Sequence, residues 1–219
     1  MRILLINPNT SAATTAQMVV IAQAAAPAGV EVIGSTALRG PRMILEAEEL
    51  IAAAPGVVEM GLAGAGDVDG IVVSAFGDPG LASLRDLTDI PTVGIAEAAM
   101  LEAAAGGRRF GIATVTPNLA APIAARARQV GVADLYVGIR LTPQDPLTLV
   151  ADPALLVAAL AEAVRQSIEC DGAEAVAIGG GPLGQAAIAL TPRFAAPIIA
   201  PIPAAIHRLM QTLQPGFPR

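Results

Sequence analysis

The chain has 219 residues, 54% of them hydrophobic and 15% charged, with a formal net charge of -6, so it carries apolar material for one large domain or two small lobes around a cleft. All 13 basic residues are arginine, and the absence of lysine excludes a Schiff base to a carbonyl substrate or to pyridoxal phosphate and excludes a P-loop lysine. One histidine (His207) and one cysteine (Cys170) exclude a Cys/His zinc cage and an intrachain disulfide.

In chain order, residues 2–6 read as a short buried strand and 12–25 as a helix. Residues 30–35 read as a second strand, and 42–65, rich in Ala, Glu and Leu, as one long helix. Residues 70–74 give a third strand and 81–87 a short helix, with Asp78 as its N-cap and Pro79 as its first residue. Residues 91–94 open another strand-and-helix unit. The second half holds strands at 110–115 and 175–179, with Tyr136 packing in the strand region before Gly138. It also holds a helix at 153–169 that ends at Cys170, read as a small buried residue, and a last helix beyond a turn at 201–203. Continuous apolar strands separated by helices predict an α/β fold with parallel sheets covered on both faces.

The second half repeats the first. The run ending in Asn7-Pro8-Asn9 matches the one ending in Thr116-Pro117-Asn118, an offset of 109 residues. Gly70 matches Ala175 at an offset of 105, and Pro91 matches Pro197 at 106. Three segments that agree so closely predict two pseudo-symmetric lobes, each a small parallel sheet flanked by helices, with a cleft at the lobe interface. Ligands of open parallel sheets sit beyond the carboxyl ends of the strands. That places the site at the turns 7–11, 116–119, 75–80 and 180–184, whose backbone N–H groups and hydroxyls suit an anion. Such facing turns predict a small carboxylate or cyclic amide as ligand.

The acidic balance and scarce aromatics argue against nucleic acid as a partner. The uncharged stretch 3–30 is interrupted by Asn7, Asn9, Thr10, Ser11 and Gln17, so no membrane span is expected. The apolar run after Met1-Arg2 stops at Asn7, a poor signal peptide, and a cytoplasmic protein is the expectation. No clustered Asp/Glu motif points to a metal, and no cofactor is expected.

Arg2-Ile3-Leu4-Leu5-Ile6-Asn7-Pro8-Asn9-Thr10-Ser11, Ser74-Ala75-Phe76-Gly77-Asp78-Pro79-Gly80-Leu81 and Gly94-Ile95-Ala96-Glu97-Ala98-Ala99 resemble segments of hydantoin and allantoin racemases, within the aspartate/glutamate racemase superfamily. The resemblance runs over essentially the whole chain. It implies a duplicated fold, with residues 1–95 plus the C-terminal helix 204–219 as the first lobe and 96–203 as the second. Assembly into a homo-oligomer is expected as well. It also implies cofactor-independent chemistry by two cysteines, one thiolate removing the α-proton and the opposite thiol returning one.

In this chain the two cysteine positions are Ala75 and Gly180, and neither side chain can carry a proton. Three readings account for this: a deliberate Cys→Ala replacement at 75, a subfamily that kept the cleft and changed its chemistry, and a binding or sensing protein without turnover. The candidate acid–base residues are Glu97, whose repeat mate is Pro203, and Asp78; both have an alternative reading as helix-terminus groups. The candidate ligand contacts are Asn9, Thr10, Ser74, Ala75, Phe76, Thr116, Asn118, Gly180 and Gly181. By resemblance, Asn9 and Thr116 hold a carboxylate or imide, and the N–H groups after 75 and 180 hold a developing enolate. His207 reads as a packing residue, and Arg108-Arg109 as a solvated pair. The expected chemistry is that of a lyase, one-sided isomerase or hydrolase rather than two-base racemisation.

Overall fold

The computed structural model describes residues 1–214, which form two all-parallel sheets of four strands each. The first contains β1 (Arg2–Asn7), β2 (Glu31–Thr36), β3 (Gly70–Val73) and β4 (Thr92–Gly94), in the order β2-β1-β3-β4. Its connections are α1 (Ala12–Ala25), α2 (Ala47–Ala52), α3 (Ala54–Gly64) and α4 (Leu81–Leu87), and α5 (Ile95–Ala103) leaves β4 directly. The second contains β5 (Phe110–Thr114), β6 (Tyr136–Leu141), β7 (Ala175–Ile178) and β8 (Ile198–Ile199), in the same relative order, β6-β5-β7-β8. It is connected by α6 (Ala120–Gln129), α7 (Pro146–Ala151), α8 (Pro153–Glu169) and α9 (Gly184–Leu190), and α10 (Pro201–Leu213) follows β8. This is the α/β plan in two lobes that the repeat predicts.

Alternation along the strands decides which side chains meet. Ile3, Leu5 and Val72 point into a central apolar cluster, which Ile112, Ala175 and Ala177 of the other sheet enter from the opposite side. Their neighbours Leu4, Ile6, Ile71 and Val73 point outward against Val57 on α3 and Leu81 and Leu84 on α4. In the second sheet Ala113, Val176 and Ile178 face outward onto α8 and α9. Both faces of each sheet are therefore covered, which is why the strands read as unbroken apolar runs. The α10 helix packs against α5, α1, β3 and β4, so it returns to the first sheet. Gly70 lets Leu209 of α10 come close, since a Cβ there would lie 2.9 Å from Leu209 Cδ2 and the leucine would have to shift. Of the expected C-terminal helix 204–219, residues 215–219 lie outside the described residues.

Several local expectations are corrected. Residues 42–65 are not one helix: the chain is irregular to residue 46, and α2 and α3 meet at a break around Ala53. Pro55 sits in the first turn of α3, where its missing N–H is harmless but through which a continuous helix would lose a bond. The last helix begins at Pro201, so 201–203 is its first turn rather than a loop before it. Asp78 does not cap α4, whose N-cap is Gly80. Cys170 is exposed rather than buried, as the C-cap of α8. Among the described residues no helix is long and apolar enough to cross a membrane.

Tyr136 opens β6 and packs against Phe110 with ring centroids 5.6 Å apart. Burial pushes its phenol up to about 12. It is the only tyrosine in a chain without tryptophan, so alkaline titration followed by ultraviolet absorbance reports it alone. A midpoint near 12 is expected in the folded protein, against about 10 when unfolded. Because the folded value is the higher one, this group's contribution is intact below pH about 10 and is lost as pH rises towards 12.

Candidate functional site

The turns at the carboxyl ends of β1, β3, β5 and β7 enclose a cavity of about 510 Å³, its open mouth included. Of the residues singled out from sequence, Asn9, Ser74, Ala75, Phe76, Thr116, Gly180 and Gly181 line it. Thr10 and Asn118 do not. Thr10 is turned to the Pro41 carbonyl, which accepts from both its N–H and its hydroxyl. Asn118 is exposed, and its Nδ2 donates to Glu46 Oε1 at 2.7 Å.

The polar groups on the two sides are complementary. Asn7 is wholly buried and orders the first turn, its Nδ2 donating to Asn9 Oδ1 and Thr15 Oγ1 at 2.9 Å each. Asn9 Oδ1 also accepts from the Ser11 N–H at 2.9 Å, which leaves the Asn9 Nδ2 donors for a cavity partner. In the other lobe Thr114 donates to the Gly179 carbonyl at 2.5 Å. Its single proton is thereby spent, so Thr116 is the donor in the 3.2 Å contact between the two hydroxyls. Thr116 consequently presents lone pairs to the cavity. Ser74 is less available: its hydroxyl donates to Met18 Sδ at 3.1 Å. The N–H groups of Ala75 and Phe76 make no backbone hydrogen bond, and those of Gly180 and Leu183 close the opposite turn.

The rest of the lining is apolar and was missed in part. Met43 and Ile44 come from the irregular segment before α2, and Leu50 comes from α2 itself. Reading 42–65 as one helix hid them. The signal was present, because Glu49 Oε2 accepts from the Leu45 and Glu46 N–H groups at 2.8 and 3.1 Å, a carboxylate spaced to mark a helix start at 47. Val115, Leu119 and Leu183 complete the wall from the second lobe. Among the described residues, none that lines the cavity carries an ionisable side chain.

The two candidate acid–base residues lie outside this lining, in a network of ions. Asp78 accepts from the Ala96 and Glu97 N–H groups at 2.9 and 2.8 Å, so it caps α5 from a distance. Arg126 Nε donates to the same carboxylate at 2.8 Å. Burial pushes Asp78 up, opposed by Arg126 and the two N–H groups. Glu97 accepts from Arg85 Nη1 and Nη2 at 3.1 and 2.8 Å and from Arg126 Nη2 at 2.8 Å, with Arg208 at 3.7 Å. Burial raises Glu97, but Arg85, Arg126 and Arg208 outweigh it and hold the carboxyl below its usual range. A carboxylate so engaged is a weak base, and the helix-terminus reading of both residues fits this geometry.

The other candidates are dispersed. His207 is exposed on α10 near Glu102. Arg108 donates to the Ala103 and Glu102 carbonyls at the end of α5, and Arg109 to the Asp171 carbonyl. Among the described residues no three His, Cys, Asp or Glu side chains are grouped to hold a metal ion.

Comparison with known proteins agrees over almost the whole chain. Residues 3–209 match the family described as Asp/Glu/hydantoin racemase. A hydantoin racemase from Pseudomonas sp. (strain NS671) is 31% identical over 200 residues, which cover 91% of this chain and 80% of that protein. An allantoin racemase from Klebsiella pneumoniae superposes with a TM-score of 0.93 at 32% identity, covering 99% of this chain and 89% of that one. An arylmalonate decarboxylase, at 17% identity and a TM-score of 0.67 over 99% of this chain and 94% of that one, shares the fold.

The two turns differ in what they can accept. A Cβ on Gly180 would lie 3.0 Å from Leu183 Cγ and 3.1 Å from its Cδ1. Ala75 already carries a Cβ and borders the cavity. Ala75→Cys is therefore expected to change stability by less than about 1 kcal/mol in urea denaturation, and Gly180→Cys to cost about 1–3 kcal/mol through overpacking. Adding Leu183→Ala should make Gly180→Cys cheaper than it is with Leu183 present, the coupling expected of touching side chains.

Proposed function

The chain belongs to the Asp/Glu/hydantoin racemase family, and on that premise we propose a cofactor-independent enzyme for a small carboxylate or cyclic ureide that works through an enolate-like anion and not by two-thiol racemisation. The observation that carries this reading is the cavity lining, which among the described residues is without an ionisable side chain. Two-base racemisation needs a proton acceptor and a proton donor on opposite faces of the α-carbon. The resemblance assigns those places to Ala75 and Gly180, which are neither.

What the lining does offer is stabilisation of charge. The Asn9 carboxamide and the N–H groups of Ala75, Phe76 and Gly181 are donors held in position before any ligand arrives. Loss of carbon dioxide from an α-carboxylate suits such a site. The C–C bond breaks, its electron pair moves onto the α-carbon and into the adjoining carbonyl, and water supplies the proton that follows. No protein base takes part, and apolar walls such as Leu119 and Leu183 disfavour the charged ground state. Lyase chemistry is thus the favoured arm, ahead of water-assisted isomerisation or hydrolysis. Asp78 and Glu97 act in this reading on the turns and not on the substrate.

The same reading divides the lobes at residues 95 and 96 and assigns the last helix to the first. It takes the protein as a cytoplasmic homo-oligomer. The single exposed Cys170 suits a reducing compartment. The neutral lining also favours a second reading, a binding or sensing protein that keeps the cleft without turnover.

Proton NMR in D2O separates these outcomes, with hydantoins, allantoin, maleate, aspartate and substituted malonates each incubated with the protein. The expected result is product from a malonate or from maleate, with the α-protons of hydantoins and allantoin exchanging no faster than in buffer. Binding shifts without product from any compound select the second reading. Catalysed α-exchange accompanied by racemisation overturns the proposal.

A further inference from the structure

Asp78 is the only non-glycine residue with positive φ among the described residues, at 52°. That conformation is unfavourable for a side chain with a Cβ and is kept where surrounding contacts enforce it. Here three donors do so: the Ala96 and Glu97 N–H groups and Arg126 Nε. Asp78 in turn closes the ligand turn, since its N–H donates to the Ala75 carbonyl at 3.0 Å. The cation in this arrangement comes from the other half of the molecule. Arg126 lies on α6, which follows the second sheet's β5, whereas Asp78 follows the first sheet's β3.

The same helix also bears on the cavity directly. Leu119, the N-cap of α6, lines the cavity, as does Thr116, which precedes α6 by the single tight turn Pro117–Leu119; Arg126 comes two helical turns after Leu119. One continuous run, the turn Pro117–Leu119 leading into α6, therefore joins the second lobe's ligand hydroxyl to the clamp on the first lobe's ligand turn. The Arg126 side chain is only 12% exposed and is spent on Asp78, Glu97 and Gln129, so it does not reach a ligand itself.

We propose that Arg126 is a positioning residue that sets the Ala75–Phe76–Gly77 turn against Thr116, so that the two halves of the binding cleft are held in register through α6. This rests on the reading of the cavity as the ligand site. It predicts that weakening the Arg126–Asp78 contact alters the turn even with no ligand present.

The test compares Arg126→Gln, Arg126→Lys and a control, Arg85→Gln, which removes a partner of Glu97 without touching Asp78. Where Arg126→Gln fails to fold, the pair Asp78→Asn with Arg126→Gln, which leaves no unpaired buried charge, takes its place. In the ligand-free protein, the backbone amide signals of Ala75, Phe76 and Gly77 should move in Arg126→Gln and stay in Arg85→Gln. Titration with hydantoin and with maleate as probes should give affinity weakened about tenfold in Arg126→Gln and within a factor of about two of wild type in Arg85→Gln. Arg126→Lys should recover part of both, because a single ammonium replaces the Nε bond without the fork. If neither probe binds wild type, the cavity reading fails, while the amide shifts still decide the positioning role. A folded Arg126→Gln, or the folded pair, with unmoved Ala75–Gly77 amides and wild-type probe affinity overturns the proposal.

Discussion

The molecule depends on one shared apolar layer. The inner faces of both sheets, with Ile3 and Leu5 on one side and Ile112 and Ala177 on the other, bury into a single cluster together with α1, α5 and α10. Neither sheet presents a finished inner face without the other, so the two lobes have one mutual arrangement rather than a hinge between separate cores. All strands being parallel, that arrangement brings the carboxyl ends of β1, β3, β5 and β7 together and makes a cavity where they meet. The fit is close: a Cβ on Gly181 would lie 2.6 Å from Met18 Sδ and 3.2 Å from Ser74 Oγ. Gly181 therefore meets Met18 and Ser74 with no side chain of its own, and the cavity lies where the turns carry small residues.

This dependence explains what was legible in the sequence. The fold could be read because strand burial writes itself as unbroken apolar runs, and because the duplication repeats those runs at nearly constant offsets. The inner turns could be read for the same reason, since Asn9, Ala75, Thr116 and Gly180 sit at fixed places just after a strand. Less was legible wherever a partner comes from far along the chain. Asp78 followed by proline looks like a local cap, but its carboxylate is claimed by the start of α5, 18 and 19 residues away. Thr10 and Asn118 look like ligand groups, but the segment before α2 takes both, through Pro41 and Glu46. Met43 and Ile44 gave no periodic signal of their own, being placed by those same bonds.

Glu97 shows how burial and charge act against each other in deciding what a group can do. Its position at a helix start beside the cleft is what makes it attractive as a base. The arginines that make such a burial tolerable are also what hold its proton affinity down. A carboxylate buried with only apolar neighbours would be raised and useful for proton transfer; one ringed by three guanidinium groups is a structural anion.

The lobes differ in how each starts the helix that follows its fourth strand, and that difference reaches the cavity. In the first lobe α5 begins with free N–H groups at Ala96 and Glu97, and a buried carboxylate, Asp78, is needed to accept from them. Asp78 then needs a cation, which Arg126 supplies. In the second lobe the repeat mate of Glu97 is Pro203, and α10 also begins on a proline, Pro201, so two of the first-turn positions have no N–H to satisfy. Of the two N–H groups that Asp78 accepts from, only that of Ala96 has a counterpart, at Ile202, and the mate of Asp78 is position 183 by the offset of 105. That position is leucine, and Leu183 is buried, lines the cavity and stands 3.0 Å from where a Gly180 Cβ would be. The second lobe thus has an apolar residue where the first has its buried carboxylate, and that residue occupies space that a side chain at 180 would need. The first lobe retains a charged scaffold behind a small residue at 75, and the second has an apolar wall behind none at 180. A cleft built on this plan is symmetric in backbone and asymmetric in its side chains.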